Sequence, residues 1–172
     1  MLKETIEKAL NQQINRELYS SYLYLSMSTY LDTIDLTGAS HWMKTQAQEE
    51  LTHAMKIYDY ILERDGRVVL ESINQPPKEW DSGLAAFEAA YQHEQNITEA
   101  INNLVSLAID EKDHATNSFL QWFVTEQVEE ESTVKEVIQR LSLVGESGNG
   151  IFMVDRELAQ RTFTPADQNS EA

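Results

Sequence analysis

No cysteine occurs among the 172 residues, which excludes disulfides, thiolate catalysis, Cys-ligated zinc and iron–sulfur clusters. Any bound metal must therefore sit on oxygen and nitrogen donors. Glycine and proline are scarce, at 6 and 3, which argues against a disordered or loop-rich chain. Positive charge is scarce too: 13 Lys and Arg stand against 29 Asp and Glu, for a formal net charge of -16. That balance lacks the clustered bases by which proteins bind nucleic acid and anionic membranes, so cations are the expected partners. No apolar run approaches the ~18 residues of a membrane span, and the opening MLKETIEKALNQQ lacks the basic-then-apolar layout of a secretory signal. A cytoplasmic protein with no nucleic-acid or membrane partner is expected.

What the chain does contain is helical period. Four long segments carry it, near residues 4–33, 37–65, 83–112 and 116–144, followed by a short fifth at 151–161. Gly38, Gly66 and Gly83 punctuate the first gaps, and Gly145, Gly148 and Gly150 precede the last helix, where freedom to take positive φ suits helix ends. The stretch 66–82 has no helical period and contains Pro76 and Pro77. A helix of ~28 residues is ~42 Å long, and a chain of this gap's length can extend to roughly 60 Å. The gap can therefore return the chain to the start of the preceding helix, while the other connections are short and imply antiparallel neighbours. The expectation is an all-α four-helix bundle with one long crossover loop and a short fifth C-terminal helix. The domain spans 1–163, and 164–172 is expected to be a flexible polar tail.

Residues seven apart lie nearly on one line of a helix. In the first helix that line is Leu10, Glu17, Tyr24, Leu31; in the second Met43, Glu50, Ile57; in the third Phe87, Glu94, Ile101, Ala108. The fourth has two adjacent lines, Leu120, Gln127, Val134, Leu141 and Phe123, Glu130, Val137, Val144. Every helix thus carries a polar residue in the middle of a mainly apolar seam. The spacing from Glu17 through Glu50 to His53 repeats from Glu94 through Gln127 to Glu130, as if two copies of one helical hairpin were docked. Such docking gathers four carboxylates and an imidazole in one core layer.

A single Glu in a helical seam is ordinarily a boundary residue or half of an ion pair. Here the nearest seam positions offer no base, and mutually repelling buried carboxylates are costly unless a polyvalent cation joins them. Carboxylates with one imidazole and no thiolate suit Fe or Mn better than Zn. The charge count points to two ions at the ~3.5–4 Å separation of paired-metal sites, sharing Glu50.

With these residues placed, the sequence resembles a bacterial non-haem ferritin. Ferritin-like di-iron bundles carry one Glu on each of two helices and Glu-x-x-His on each of the other two. The chain follows the pattern in RELYSSYLY, EELTH and YQHEQNIT, and departs from it in EQVEEE, where Gln127 and Glu130 replace the second Glu-x-x-His. That departure points away from bacterioferritins, as does Thr52 where they have a methionine haem ligand, so no haem is expected.

The resemblance implies a ferroxidase. A homo-oligomeric shell of 24 subunits would oxidise Fe(II) with oxygen or hydrogen peroxide at an intrasubunit di-iron centre and store ferric mineral inside. It assigns Glu17, Glu50 and His53 to the first iron and Glu50, Glu94 and Glu130 to the second, with Gln127 as a hydrogen-bonding neighbour. A third iron site is implied at Glu49, Glu126, Glu129 and Glu130, residues that the seam geometry alone would leave as solvated flanks. Tyr24, on the line of Glu17 and close enough to touch the first iron's ligands, and Trp122 are implied as catalytic electron carriers; core packing is the other reading of both. His93 is expected to point elsewhere. Asn117 and Leu120 replace the acidic residues that line three-fold pores in animal ferritins, so another opening for iron is expected, with Asp110, Glu111 and Asp113 nearby. The fifth helix adds nothing obvious to the core and by resemblance lines an axis between subunits.

Two other classes fit parts of the pattern. A di-iron oxidase or peroxidase of the rubrerythrin or ribonucleotide-reductase-subunit kind would act without storage. Such proteins usually have both Glu-x-x-His motifs, and rubrerythrins add a Cys-rich module. A structural acidic bundle would buffer divalent cations without consuming oxygen.

Overall fold

The computed structural model describes residues 2–163, so the polar tail expected at 164–172 lies outside the described residues. Five helices follow in order: α1 (Glu4–Thr33), α2 (Thr37–Glu63), α3 (Gly83–Asp110), α4 (His114–Val144) and α5 (Gly148–Leu158). Among the described residues there is no strand. None of the helices is long and apolar enough to cross a membrane.

Local chemistry sets several of these ends. Ser82 and Asp113 accept from Ala85 N and Thr116 N at the starts of α3 and α4, satisfying amides that have no partner inside the helix. Ser147 accepts from Gly150 N in the same way. This cap starts α5 at Gly148, earlier than helical period suggests, because glycine costs little in a first turn whose amides are not yet in the ladder.

The expected use of glycine at helix ends is only partly met. Positive φ falls on Asp35, Asp65, Lys112 and Gly145, while Gly38 and Gly83 lie just inside helix starts. Gly38 is required for a different reason: a Cβ there would come 1.8 Å from the carbonyl oxygen of Asp155 in α5.

Short turns make α1–α2 and α3–α4 antiparallel pairs, tied by bonds such as Ser28 to Ser40 (3.0 Å) and Thr98 to Glu131 (2.6 Å). Between α2 and α3 the chain runs along α1 in the direction of that helix. Asn11 donates to Arg67 O and accepts from Val69 N, Asn15 donates to Ser72 O, and the Tyr30 and Trp80 rings pack 5.4 Å apart. The crossover thus travels the bundle's length and starts α3 beside Leu31 and Leu36, parallel to α2.

The apolar core is divided in two. One cluster holds Leu23, Met27, Met43, Phe87 and Val134; the other holds Leu10, Ile57, Ile101, Leu120 and Phe123. On every long helix the break between them falls at the polar seam position. Burial of each large side chain is worth ~1.5–3 kcal/mol, and these two clusters carry the stability that a buried polar layer between them consumes.

The fifth helix does contribute to the core, contrary to expectation. Val154 and Leu158 are buried in the first cluster, because Asp155 anchors α5 across the start of α2. Leu36, the residue before α2, supplies no side-chain cap, and Asp155 replaces it by accepting from Gly38 N (2.9 Å) and Ala39 N (2.8 Å).

Candidate metal centre

The layer between the clusters holds Glu17, Glu50 and Glu94, each 1% exposed, with Glu130 and Gln127 at 4% and His53 at 3%. Carboxylate or imidazole atoms of Glu17, Glu50 and His53 lie within 4.8 Å of one another, as do those of His53, Glu126 and Glu130. The two groups therefore meet at His53, whose Nδ1 lies 3.5 Å from Glu50 and whose Nε2 lies 3.9 Å from Glu126. Glu94 stands outside both groups and makes other contacts: Tyr24 donates its hydroxyl to it, and Gln127 Nε2 donates at 3.1 Å.

Among the described residues no lysine or arginine is hydrogen-bonded to the layer's four carboxyls, although the Arg161 charge reaches Glu130. Instead two amides donate into the layer. Gln13 Nε2 lies 2.7 Å from Glu17 Oε1, and Gln46 Nε2 lies 2.7 Å from both Glu50 Oε1 and Glu130 Oε2. Glu17 Oε2 is buried and has no hydrogen-bond partner among the described residues, an uncommon state for a buried oxygen and one that a cation would relieve.

Burial dominates the proton affinities. It pushes the Glu17 and Glu130 carboxyls up to about 8, with the Glu50 charge adding to each rise. Glu94 is raised well above the carboxylate range by burial, then by Glu50 and Glu130. Burial would raise Glu50 as well, but the hydrogen bond and charge of His53 and the Gln46 amide outweigh it and hold Glu50 low. Burial would lower His53, yet Glu50, Glu130 and Glu17 together push it up to about 10. At neutral pH the layer is a Glu50–imidazolium pair among protonated carboxyls. A divalent cation can displace those protons and turn the same oxygens into ligands.

The flank residues separate. Glu126 is 19% exposed and reaches His53; Glu129 is exposed beside it; Glu49 is paired with Arg161. The Trp122 and His53 rings meet edge to face, centroids 5.4 Å apart, and Lys56 Nζ lies over the Trp122 ring, 4.7 Å from its centroid.

Residues 7–144 match the ferritin family's ferritin-like domain. The chain belongs to the ferritin family. It is 42% identical over 161 residues to the bacterial non-heme ferritin of Bacteroides fragilis (strain 638R), covering 94% of this chain and 100% of that one. The Campylobacter jejuni bacterial non-heme ferritin is 42% identical over 156 residues, 91% of this chain and 93% of that one. Among solved structures, a closed form of the Archaeoglobus fulgidus ferritin engineered by site-directed mutagenesis is similar with a TM-score of 0.94 and 52% identity, over 95% of this chain and 100% of that one. Ferritin membership carries iron storage with it, and an oxygen-rich layer free of thiolate fits iron.

Other residues singled out in the sequence take definite places on the ferritin bundle. The Tyr24 hydroxyl donates to Glu94 on α3, a residue assigned to the second iron. Leu120 is fully buried in the core and lines no opening, and Asn117 is half-buried and accepts from Gln121. The acids at that helix junction have local work: Asp113 pairs with Arg64 and caps α4, and Glu111 pairs with Lys3. His93 Nε2 lies 2.7 Å from the Ser20 hydroxyl, and its ring packs against Tyr19 and Tyr24.

Three residues of the site escaped the sequence. Gln13 and Gln46 precede Glu17 and Glu50 by one helical turn in both arms of the first hairpin, a signal that i,i+4 spacing could have revealed. Arg161 had no such signal, since only the docking of α5 brings it to Glu49.

Proposed function

We propose that this ferritin oxidises Fe(II) at a two-iron centre inside each subunit and deposits ferric mineral within a cytoplasmic shell of 24 copies. The observation that carries the reading is the buried layer of four carboxyls around one imidazole, with no lysine or arginine bonded to them among the described residues, lying between two apolar clusters. Protons, amides and the His53 charge offset part of that cost in the apo-protein, and cations would convert the same oxygens into ligands.

In this reading Glu17, Glu50 and His53 take the first Fe(II), and Glu50, Glu94 and Glu130 take the second. Gln127 steadies Glu94. Glu49, Glu126, Glu129 and Glu130 take a third. Carboxylates are hard donors that favour Fe(III) over Fe(II), so binding makes the ferrous pair easier to oxidise. Each Fe(II) gives one electron: two Fe(II) and two protons reduce oxygen to hydrogen peroxide, and two further Fe(II) with two protons reduce the peroxide to two waters. Tyr24 against Glu94 and Trp122 against His53 stand where an electron could be supplied to the centre.

Iron loading tests the storage half. Fe(II) added in air to the apo-protein should give ferric cores that co-elute with a particle of unchanged mass. Ferric precipitate outside the particle contradicts storage, and a particle of one or two chains contradicts the shell.

A further inference from the structure

Arg161 follows α5 and turns back onto α2. Its side chain is 17% exposed, and its guanidinium stacks over the Trp42 ring, 4.1 Å from the centroid. His41 Nε2 donates to its carbonyl at 2.9 Å, which pins the backbone. From there Nη2 donates to Gln46 Oε1 at 2.6 Å and to the Glu49 carboxylate. Nη1 is buried with no hydrogen-bond partner among the described residues, so the guanidinium sits deeper than its own bonding requires.

A guanidinium only donates. Gln46 must therefore turn its carbonyl to Arg161, which leaves its amide nitrogen for Glu50 and Glu130. An inverted amide would set NH2 against the guanidinium and oxygen against two carboxyls. One cation thus acts on Glu49 directly and on Glu50 and Glu130 through Gln46. Arg16 treats Gln13 in the same manner at 3.2 Å, and Gln13 then donates to Glu17, but Arg16 has no hydrogen bond to a flank carboxylate.

We propose that Arg161 is the resident counter-cation of the carboxylates flanking the centre, and that a metal ion reaching Glu49 must displace it. The inference rests on the two-iron reading above and adds a residue that sets how strongly a third ion is held. Arginine keeps its charge at every accessible pH, so the competition is permanent while the C-terminal segment is docked.

Zinc(II), which is not oxidised, is the probe. Calorimetric titration of the assembled apo-protein should give two tight steps per subunit and a weak third. In Arg161→Gln the third step should tighten roughly tenfold. Arg161→Lys retains a cation there and should stay within about threefold of the parent. Adding Glu49→Gln to Arg161→Gln should abolish the gain. An unchanged third step in Arg161→Gln, or a gain that survives Glu49→Gln, overturns the proposal while leaving the two-iron reading intact. Fewer than two tight steps in the parent overturns both.

A second measurement leaves Arg161 untouched. With Trp80→Phe and Trp122→Phe, only Trp42 remains to report on the stacked guanidinium. Its emission should change at the third equivalent of zinc and not before. Constant emission through the third equivalent contradicts displacement.

Discussion

His53 is the residue on which both ligand groups converge, and its proton is part of the apo-structure. Raised to about 10 against an ordinary 6.5, it is an imidazolium that must be deprotonated before it can bind a metal. Glu17 and Glu130, raised to about 8 from 4.5, must lose protons as well. Metal binding should therefore release protons and tighten as pH rises toward 8, which titration in buffers of different ionisation heat would measure. Folding has the opposite sign. Between pH 4.5 and about 8 the native carboxyls hold protons that the unfolded chain has lost, so their contribution to apo-stability falls as pH rises through that window. His53 adds a term of the same sign, present below 6.5 and lost as pH rises through about 10. Urea melts of the apo-protein should show higher stability at pH 5.5 than at pH 8.5, and the reverse order would mean that these carboxyls are already ionised. In His53→Ala the bundle should still fold, since the two apolar clusters are untouched, while rapid oxidation collapses and weak cation binding persists. Oxidation of two Fe(II) per subunit at the parental rate would make His53 a packing residue.

At the scale of elements, the heptad lines explain why so much of the bundle was legible. A seam such as Phe87, Glu94, Ile101 fixes which face of α3 is buried, and it places the polar break at the height where α1 and α2 have theirs. The length of the crossover and its two prolines then leave one sensible path. What periodicity could not convey was reach between elements. The Tyr24 hydroxyl finds Glu94 across the bundle, and Asp155 caps a helix far from it in sequence. Periodicity even misdirected the reading of α5, whose buried residues belong to a core cluster set by that cap. Losing the cap in Asp155→Ala should cost about 1 kcal/mol. Gly38→Ala should cost more, because the new Cβ meets backbone oxygen and α5 must move away. Thermal unfolding of the two variants checks that order, and equal melting temperatures would mean that α5 docks loosely.

For the whole molecule, a net charge of -16 and the carboxylates beside His53 suit a particle that gathers cations from solution. Two of the acids near the α3–α4 junction, Glu111 and Asp113, are occupied by Lys3 and Arg64, so these two offer less to passing iron than the sequence suggested. Light scattering of the apo-protein should give 24 times the 19.7 kDa chain, and a stable monomer or dimer at micromolar concentration would contradict the shell. Whether the protein oxidises iron is decided by stopped-flow mixing of the apo-protein with Fe(II) and oxygen, with oxygen uptake followed in parallel. A two-iron centre should give a fast phase that saturates at two Fe(II) per subunit and consumes oxygen in proportion. Binding of Fe(II) with oxygen uptake no faster than in protein-free buffer would contradict it and leave a cation buffer in its place.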